Sequence, residues 1–253
     1  MPRRAFVEQI MGLPISLHLR GPEATGSAVE HAVRTAFSRL RSDDAEFSTY
    51  RNDSAVSRIQ RGELAVADAS PRLRQVVALC EDASARTDGA FSAWLPAEGV
   101  IRFDPSGLVK GWAVEEAFES LVRDLAELDR YDALLSAGGD VVVSCSRTDT
   151  PDWTIAVEDP TDRGRLLTSV PLRAGAVATS GTAARGAHVL DPSSGHPATG
   201  LLSATVIGPS LTWADVYATA LLARGGDAPW FDALRADHLA LLVRPDGTTV
   251  RLP

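Results

Sequence analysis

Strand-like segments come in runs in this chain, and the helix-like segments between them follow no regular strand–helix–strand rhythm. Short apolar or alternating stretches lie at 13–19, 133–135, 141–143, 153–157, 170–172, 176–179 and 203–207. The tail HLALLVRPDGTTVRL reads as a hairpin, two runs joined at Pro-Asp-Gly. Helical spacing is found after Ser27, at Val29, Val33, Ala36, Phe37 and Leu40, and again after the Ser70-Pro71 start signal, at Leu73, Val76, Val77 and Cys80. A third helix is expected from near Lys110, with Val114, Phe118, Leu121, Val122 and Leu125 as its apolar stripe. A fourth is expected over 213–223, stopped by Gly225-Gly226. Such a mixture predicts an α+β fold of mixed sheets with packed helices rather than a doubly wound parallel sheet.

The chain of 253 residues, 45% hydrophobic and 23% charged, has globular composition and enough length for a sizeable core. It is expected to form a single domain over 1–253 or two closely joined lobes. Two cysteines far apart, Cys80 and Cys145, offer neither a disulfide framework nor a zinc motif, and Cys80 reads as a buried thiol. A formal charge of −8 with scattered arginines argues against a nucleic-acid surface. No apolar run is long enough for a transmembrane segment, and no signal peptide or lipobox is visible. A cytoplasmic protein is the expectation for the sequence as written, and an exported one if a leader has been removed.

Several residues have the right type for chemistry. Asp215 and Thr219 are spaced i, i+4, so a carboxylate and a hydroxyl share one helix face and can offer hard oxygens to Mg²⁺. The same spacing also suits a helix cap and a packed threonine. His188 precedes Val-Leu-Asp-Pro at a strand edge, where it can serve as a general base or as a hydrogen-bonded structural histidine. The stretch FDPSGLVKG, from Phe103 to Gly111, runs from a loop into a helix start, a place where free N–H groups and Lys110 can meet phosphate. It is neither a P-loop nor a dinucleotide fingerprint, and no GxSxG, HExxH or EF-hand pattern occurs. Gly138-Gly139-Asp140 reads as a turn.

Taken in order, MGLPISL, FSTYRNDSAVSRI, TDGAF, FDPSGLVKGWAVE, LLSAGGDV, ATSG, HVLDPSSGHP and ADVYATALLARG resemble the blocks of the FAD:protein FMN transferase (ApbE) family, from about Met11 to about Gly225. The resemblance implies an α+β enzyme that uses Mg²⁺ and takes FAD as its substrate. Such an enzyme attaches FMN to a threonine or serine hydroxyl of an acceptor flavoprotein and releases AMP. It implies Asp215 and Thr219 as metal side-chain ligands, with Gly107 giving a backbone carbonyl. It places Met11, Tyr50, Ala90, Phe91, Asp104, Lys110 and Val189 at FAD-contacting positions, and His188 as the residue that takes the acceptor's proton. Tyr50 would offer an aromatic face, or else sit in the core.

Two features depart from the family pattern. Ser92 stands at an FAD-site position where the family commonly has Asp, which removes a carboxylate but keeps a hydrogen-bonding group. Only six residues, 182–187, separate ATSG from His188, where many relatives carry a longer insert. The alternatives are an FAD pyrophosphatase giving FMN and AMP, and a non-catalytic flavin-binding protein.

Overall fold

The computed structural model describes residues 2–21, 24, 26–97, 99–128, 130–182, 189–226 and 228–253. Its centre is an eight-stranded sheet, antiparallel throughout, in the order β1 (Arg3–Ile10), β2 (Leu13–Arg20), β5 (Asp132–Ala137), β6 (Asp140–Cys145), β9 (Ala174–Gly181), β10 (Ser203–Gly208), β11 (Leu239–Val243) and β12 (Thr249–Leu252). Two hairpins stand apart, β3 (Trp94–Ala97) with β4 (Val100–Phe103), and β7 (Trp153–Asp159) with β8 (Asp162–Leu172).

The period-two pattern assigns the two sheet faces. Leu17, Ala133, Leu135, Val142, Ala176, Ala178, Ala204 and Val206 join the main core beneath the helices. Their alternates Leu134, Val141, Val143, Val177 and Ile207 form a smaller cluster with Ile155, Trp153 and Leu172 of the β7–β8 hairpin. On the helical side, α5 (Leu211–Ala223) lies on β9 and β10. Helix α4 (Ser106–Ala126) packs on α5, and α1 (Ser27–Phe47) packs on α4. Helix α5 is buried on nearly all sides, so Thr212 and Asp215 are held in the interior, while Thr219 is half-buried. The shorter α2 (Ala55–Gln60) and the amphipathic α3 (Pro71–Arg86) complete the layer. Ser54 and Ser70 cap them by accepting the N–H of Ser57 and Leu73, each at 3.0 Å.

The α+β expectation is met. The predicted start of the third helix near Lys110 is too late: α4 begins at Ser106, because Asp104 Oδ1 accepts the Ser106 N–H at 3.0 Å and fixes the chain one turn earlier. The fourth helix likewise starts at Leu211 rather than 213, behind the cap Ser210. Strand β1, the β3–β4 hairpin and helix α2 are elements that the apolar pattern did not announce. Cys80 is buried as expected, 2% exposed.

Candidate functional site

Two sequence blocks separated by about a hundred residues meet where α4 crosses α5. The crossing is close because Gly111 has no side chain: a Cβ there would lie 3.0 Å from both Asp215 Cβ and the Leu211 carbonyl oxygen. One turn further along α4, Glu115 reaches over the start of α5. It accepts from the Leu211 N–H at 2.8 Å, the Thr212 N–H at 3.1 Å, the Ser210 hydroxyl at 2.9 Å and the Thr212 hydroxyl. A carboxylate on four donors at a helix N-terminus both caps the helix and complements its dipole. The sliding position of α5 along α4 is thereby set, and with it the placement of Asp215 and Thr219.

One turn before Gly111, Gly107 faces Thr219: a Cβ on Gly107 would lie 3.6 Å from Thr219 Cγ2 and 3.1 Å from the Phe91 ring. Thr219 Oγ1 is 2.9 Å from Ser180 Oγ on β9. Lys110 Nζ lies 2.8 Å from Asp215 Oδ2 and also pairs with Asp140 Oδ2 at the start of β6. Both aspartates are almost wholly buried, and among the described residues neither Oδ2 has a hydrogen-bond donor beyond this ammonium contact. The Thr179 N–H donates to Asp140 Oδ1 at 2.9 Å, which ties the carboxylate to the sheet. The result is a cluster of hard oxygens with one ammonium, contributed by α4, α5 and the ends of β6 and β9.

The expected residues fall into groups. Gly107, Lys110, Asp215 and Thr219 come together. Ala90 and Phe91 are buried beside them, with the Phe91 ring against Gly107. Next in the chain, Ser92 Oγ donates to the Trp94 carbonyl at 3.0 Å and accepts the Trp94 N–H at 3.1 Å. Ser92 lines an open cleft of about 440 Å³ with Cys80, Ser84, Asp88, Gly89 and Trp94. Asp104 adjoins this cleft, because its N–H donates to the Ala93 carbonyl at 2.7 Å. Met11 occupies the two-residue β1–β2 turn with φ +57°, a strained value for a non-glycine residue, at the sheet end that also carries Asp140.

Tyr50 is 93% exposed beyond the end of α1, which rules out the core alternative; its N–H donates to Ser48 Oγ at 3.2 Å, and among the described residues no hydrogen bond joins it to the Lys110 cluster. Val189 is half-buried against the core, and its carbonyl accepts from Ala198 at 2.9 Å. The loop after it is braced by Asp191, whose carboxyl is held below the usual range chiefly by the Ser193 hydroxyl. That loop packs Gly195 on Pro96 and Gly200 on Gly225. His188, and with it nearly all of the short 182–187 segment, lies outside the described residues.

Asp140, Ser180 and Glu115 are the polar groups that residue-by-residue reading did not single out. Asp140 was hidden in a glycine turn, and the available signal was a carboxylate directly before the apolar run Val-Val-Val. Among the described residues no group of three or more His, Cys, Asp or Glu side chains is placed to hold a metal.

The ApbE family model matches residues 11–97 and 94–241. A FAD:protein FMN transferase of Rhodobacter capsulatus is 31% identical over 163 residues, covering 60% of this chain and 30% of that protein. One of Salmonella typhimurium is 26% identical over 242 residues, covering 74% and 69%. Several such relatives are thus matched over less than half of their own length. Among solved structures, the ApbE protein of Thermotoga maritima superposes with a TM-score of 0.84 at 20% identity, covering 99% of this chain and 97% of that one. The flavin transferase ApbE of Vibrio cholerae gives 0.79 at 21% identity, covering 99% and 96%. The family match spans most of the chain, the fold agrees over nearly all of it, and the chain belongs to the ApbE family.

Proposed function

We propose that this protein transfers FMN from FAD to the hydroxyl of a threonine or serine on an acceptor flavoprotein, with Mg²⁺ as cofactor and AMP as the released product. The reading is supported above all by the convergence of Gly107, Lys110, Asp215 and Thr219, from two distant family blocks, in one oxygen-rich cluster. The relatives named FAD:protein FMN transferase support the same activity.

The donor set suits Mg²⁺. One buried carboxylate (Asp215), one hydroxyl (Thr219) and the Gly107 carbonyl are hard oxygens, and so small a set leaves positions for water and substrate phosphate, which Mg²⁺ tends to keep. When bound, the ion supplies charge neutralisation at the phosphoryl oxygens. Lys110 adds a point charge at the pyrophosphate. The Glu115 cap and the Gly111 crossing hold these groups in place before substrate arrives, so little reorganisation is left for the reaction itself.

In the reaction the acceptor oxygen forms a bond to the flavin-side phosphorus as the anhydride P–O bond breaks, and AMP leaves with that bridging oxygen. The hydroxyl proton passes to His188, a role assigned from the family pattern. The cleft beside Ser92, Asp104 and Trp94 is the place proposed for part of the dinucleotide, with Ser92 offering a hydroxyl in place of the family's carboxylate.

The test is incubation of the protein with FAD, MgCl₂ and a threonine-bearing flavoprotein domain, followed by mass spectrometry of the acceptor and chromatography of nucleotides. An FMN-sized mass on the acceptor with equimolar AMP is the expected result. Free FMN and AMP without an adduct would replace transfer by hydrolysis, and intact FAD under every metal condition would overturn both.

A further inference from the structure

The Lys110 ammonium stands between two buried carboxylates, one of which is the metal ligand proposed above. It contacts Asp215 Oδ2 at 2.8 Å and Asp140 Oδ2 as well. Asp140 and Asp215 are 2% and 3% exposed, and neither Oδ2 has another hydrogen-bond donor among the described residues. Two carboxylates this close and this dry require a cation near them, since unpaired buried charge is costly. The backbone has little freedom to supply relief, because the α4–α5 crossing at Gly111 is already at contact distance and Glu115 fixes the start of α5. The lysine side chain is the adaptable part: its stem is flexible, its ammonium carries three donors, and it is 23% exposed.

We infer that Lys110 is an internal counter-cation that competes with the divalent cation for Asp215 and, once displaced, serves the FAD pyrophosphate, so that cation and FAD bind with positive coupling. The inference rests on the assignment of Asp215 as a metal ligand. Charge counting gives its direction. Asp140, Asp215 and Lys110 sum to −1, a divalent cation alone brings the site to +1, and a pyrophosphate carrying two negative charges returns it to −1. The cation by itself therefore meets a like charge at close range, and the pyrophosphate by itself meets a site with one net negative charge and an ammonium already shared by two carboxylates. Each ligand removes the other's obstacle, and linkage makes the two effects equal. Asp140, at the start of β6, keeps the ammonium beside the sheet while Asp215 changes partner.

Calorimetric titration of the whole protein with MgCl₂ in the absence of FAD tests this directly. Lys110→Met should bind Mg²⁺ about tenfold more tightly than the parent, the scale of one removed close charge, while Lys110→Arg stays near the parent value. In the parent, FAD affinity read by flavin fluorescence, with intact FAD verified by chromatography, should rise about tenfold from EDTA to Mg²⁺. In Lys110→Met that rise should shrink severalfold.

Should Lys110→Met not fold in EDTA, recovery of a cooperative melt on adding MgCl₂ supports the inference. If it folds in neither condition, Lys110→Gln takes its place with the same expectation. Equal or weaker Mg²⁺ binding by the neutral variant, with Asp215→Ala still abolishing binding, overturns the competition and leaves the metal assignment standing. Undiminished Mg²⁺ binding by Asp215→Ala overturns both.

Discussion

The β5–β6 hairpin carries a buried aspartate near each end, and the two have opposite characters. Asp132 opens β5 and Asp140 opens β6, with roughly 17 Å of strand between the two ends. Asp132 is saturated. It pairs with buried Arg20 at 3.2 Å, accepts the Arg147 N–H at 3.2 Å, and accepts the Thr150 hydroxyl. Arg20 in turn lies 3.8 Å over the Trp153 ring and donates to Cys145 Sγ at 3.5 Å. In that buried pair one positive charge meets one negative charge, and each has several partners. At the other end, Asp140 and Asp215 share one lysine, and their Oδ2 atoms have no other donor among the described residues. Matched charge fixes a structure; unmatched charge leaves capacity for a ligand.

The largest break in this comparison is Asp215→Ala. Turnover with FAD and Mg²⁺ should fall by about two to three orders of magnitude, the scale for losing one preorganised charge-stabilising group. The melting temperature should change little, because one of two like charges around Lys110 is gone. A change confined to stability, with turnover intact, would make Asp215 a structural residue like Asp132.

The mirror experiment is Asp132→Asn, where the expected loss is stability. Leaving Arg20 buried without a counter-charge should cost about 3–5 kcal/mol, read from denaturant midpoints. Turnover of the folded fraction should stay near the parent value, since this pair lies at the far end of the strands.

Gly111→Ala tests the frame between the two. A new Cβ would press on Asp215 and on the Leu211 carbonyl at 3.0 Å, and backbone cannot yield cheaply. Overpacking of this kind costs about 1–3 kcal/mol, and the helix shift should also raise the Mg²⁺ requirement. A stable variant with unaltered Mg²⁺ dependence would show that the crossing does not set the site.

The sequence made the frame legible where a period repeated and hid it where contacts were tertiary. Helices α1 and α3 could be read from Val29–Val33–Phe37–Leu40 and from the Ser70-Pro71 cap, because local spacing alone selects their buried faces. Strand β1 could not be: its alternates include charged residues such as Arg4 and Glu8, whose partners Glu30 and Arg41 lie on α1, far along the chain. The i, i+4 pair Asp215 and Thr219 was visible as a pair, whereas the role of Asp140 depended on which helix the β5–β6 turn would meet. The ordered family blocks drew attention to Gly107 and Lys110 but gave no role to Asp140, Ser180 or Glu115, the last of which acts through a contact 96 residues away.

Cys80 extends the comparison to burial with no counter-charge at all. Its thiol is pushed up to about 12, first by burial and then by Glu81 and Asp104, against an ordinary value of 9.0. Cys145, beside Arg20, is also raised by burial, but Arg20 and Arg173 pull it back. In the unfolded chain Cys80 loses its proton near pH 9, and in the folded chain it keeps it, so the unfolded state binds fewer protons above that pH. Stability is therefore undiminished below about pH 9 and falls as pH rises towards 12, by up to about 1.4 kcal/mol per pH unit from this group. Cys80→Ala should flatten that part of the stability–pH curve, measured by urea unfolding at pH 8 and pH 10. At pH 8, iodoacetamide should label Cys145 well before Cys80; equal labelling would show that the site wall opens far more readily than its packing implies.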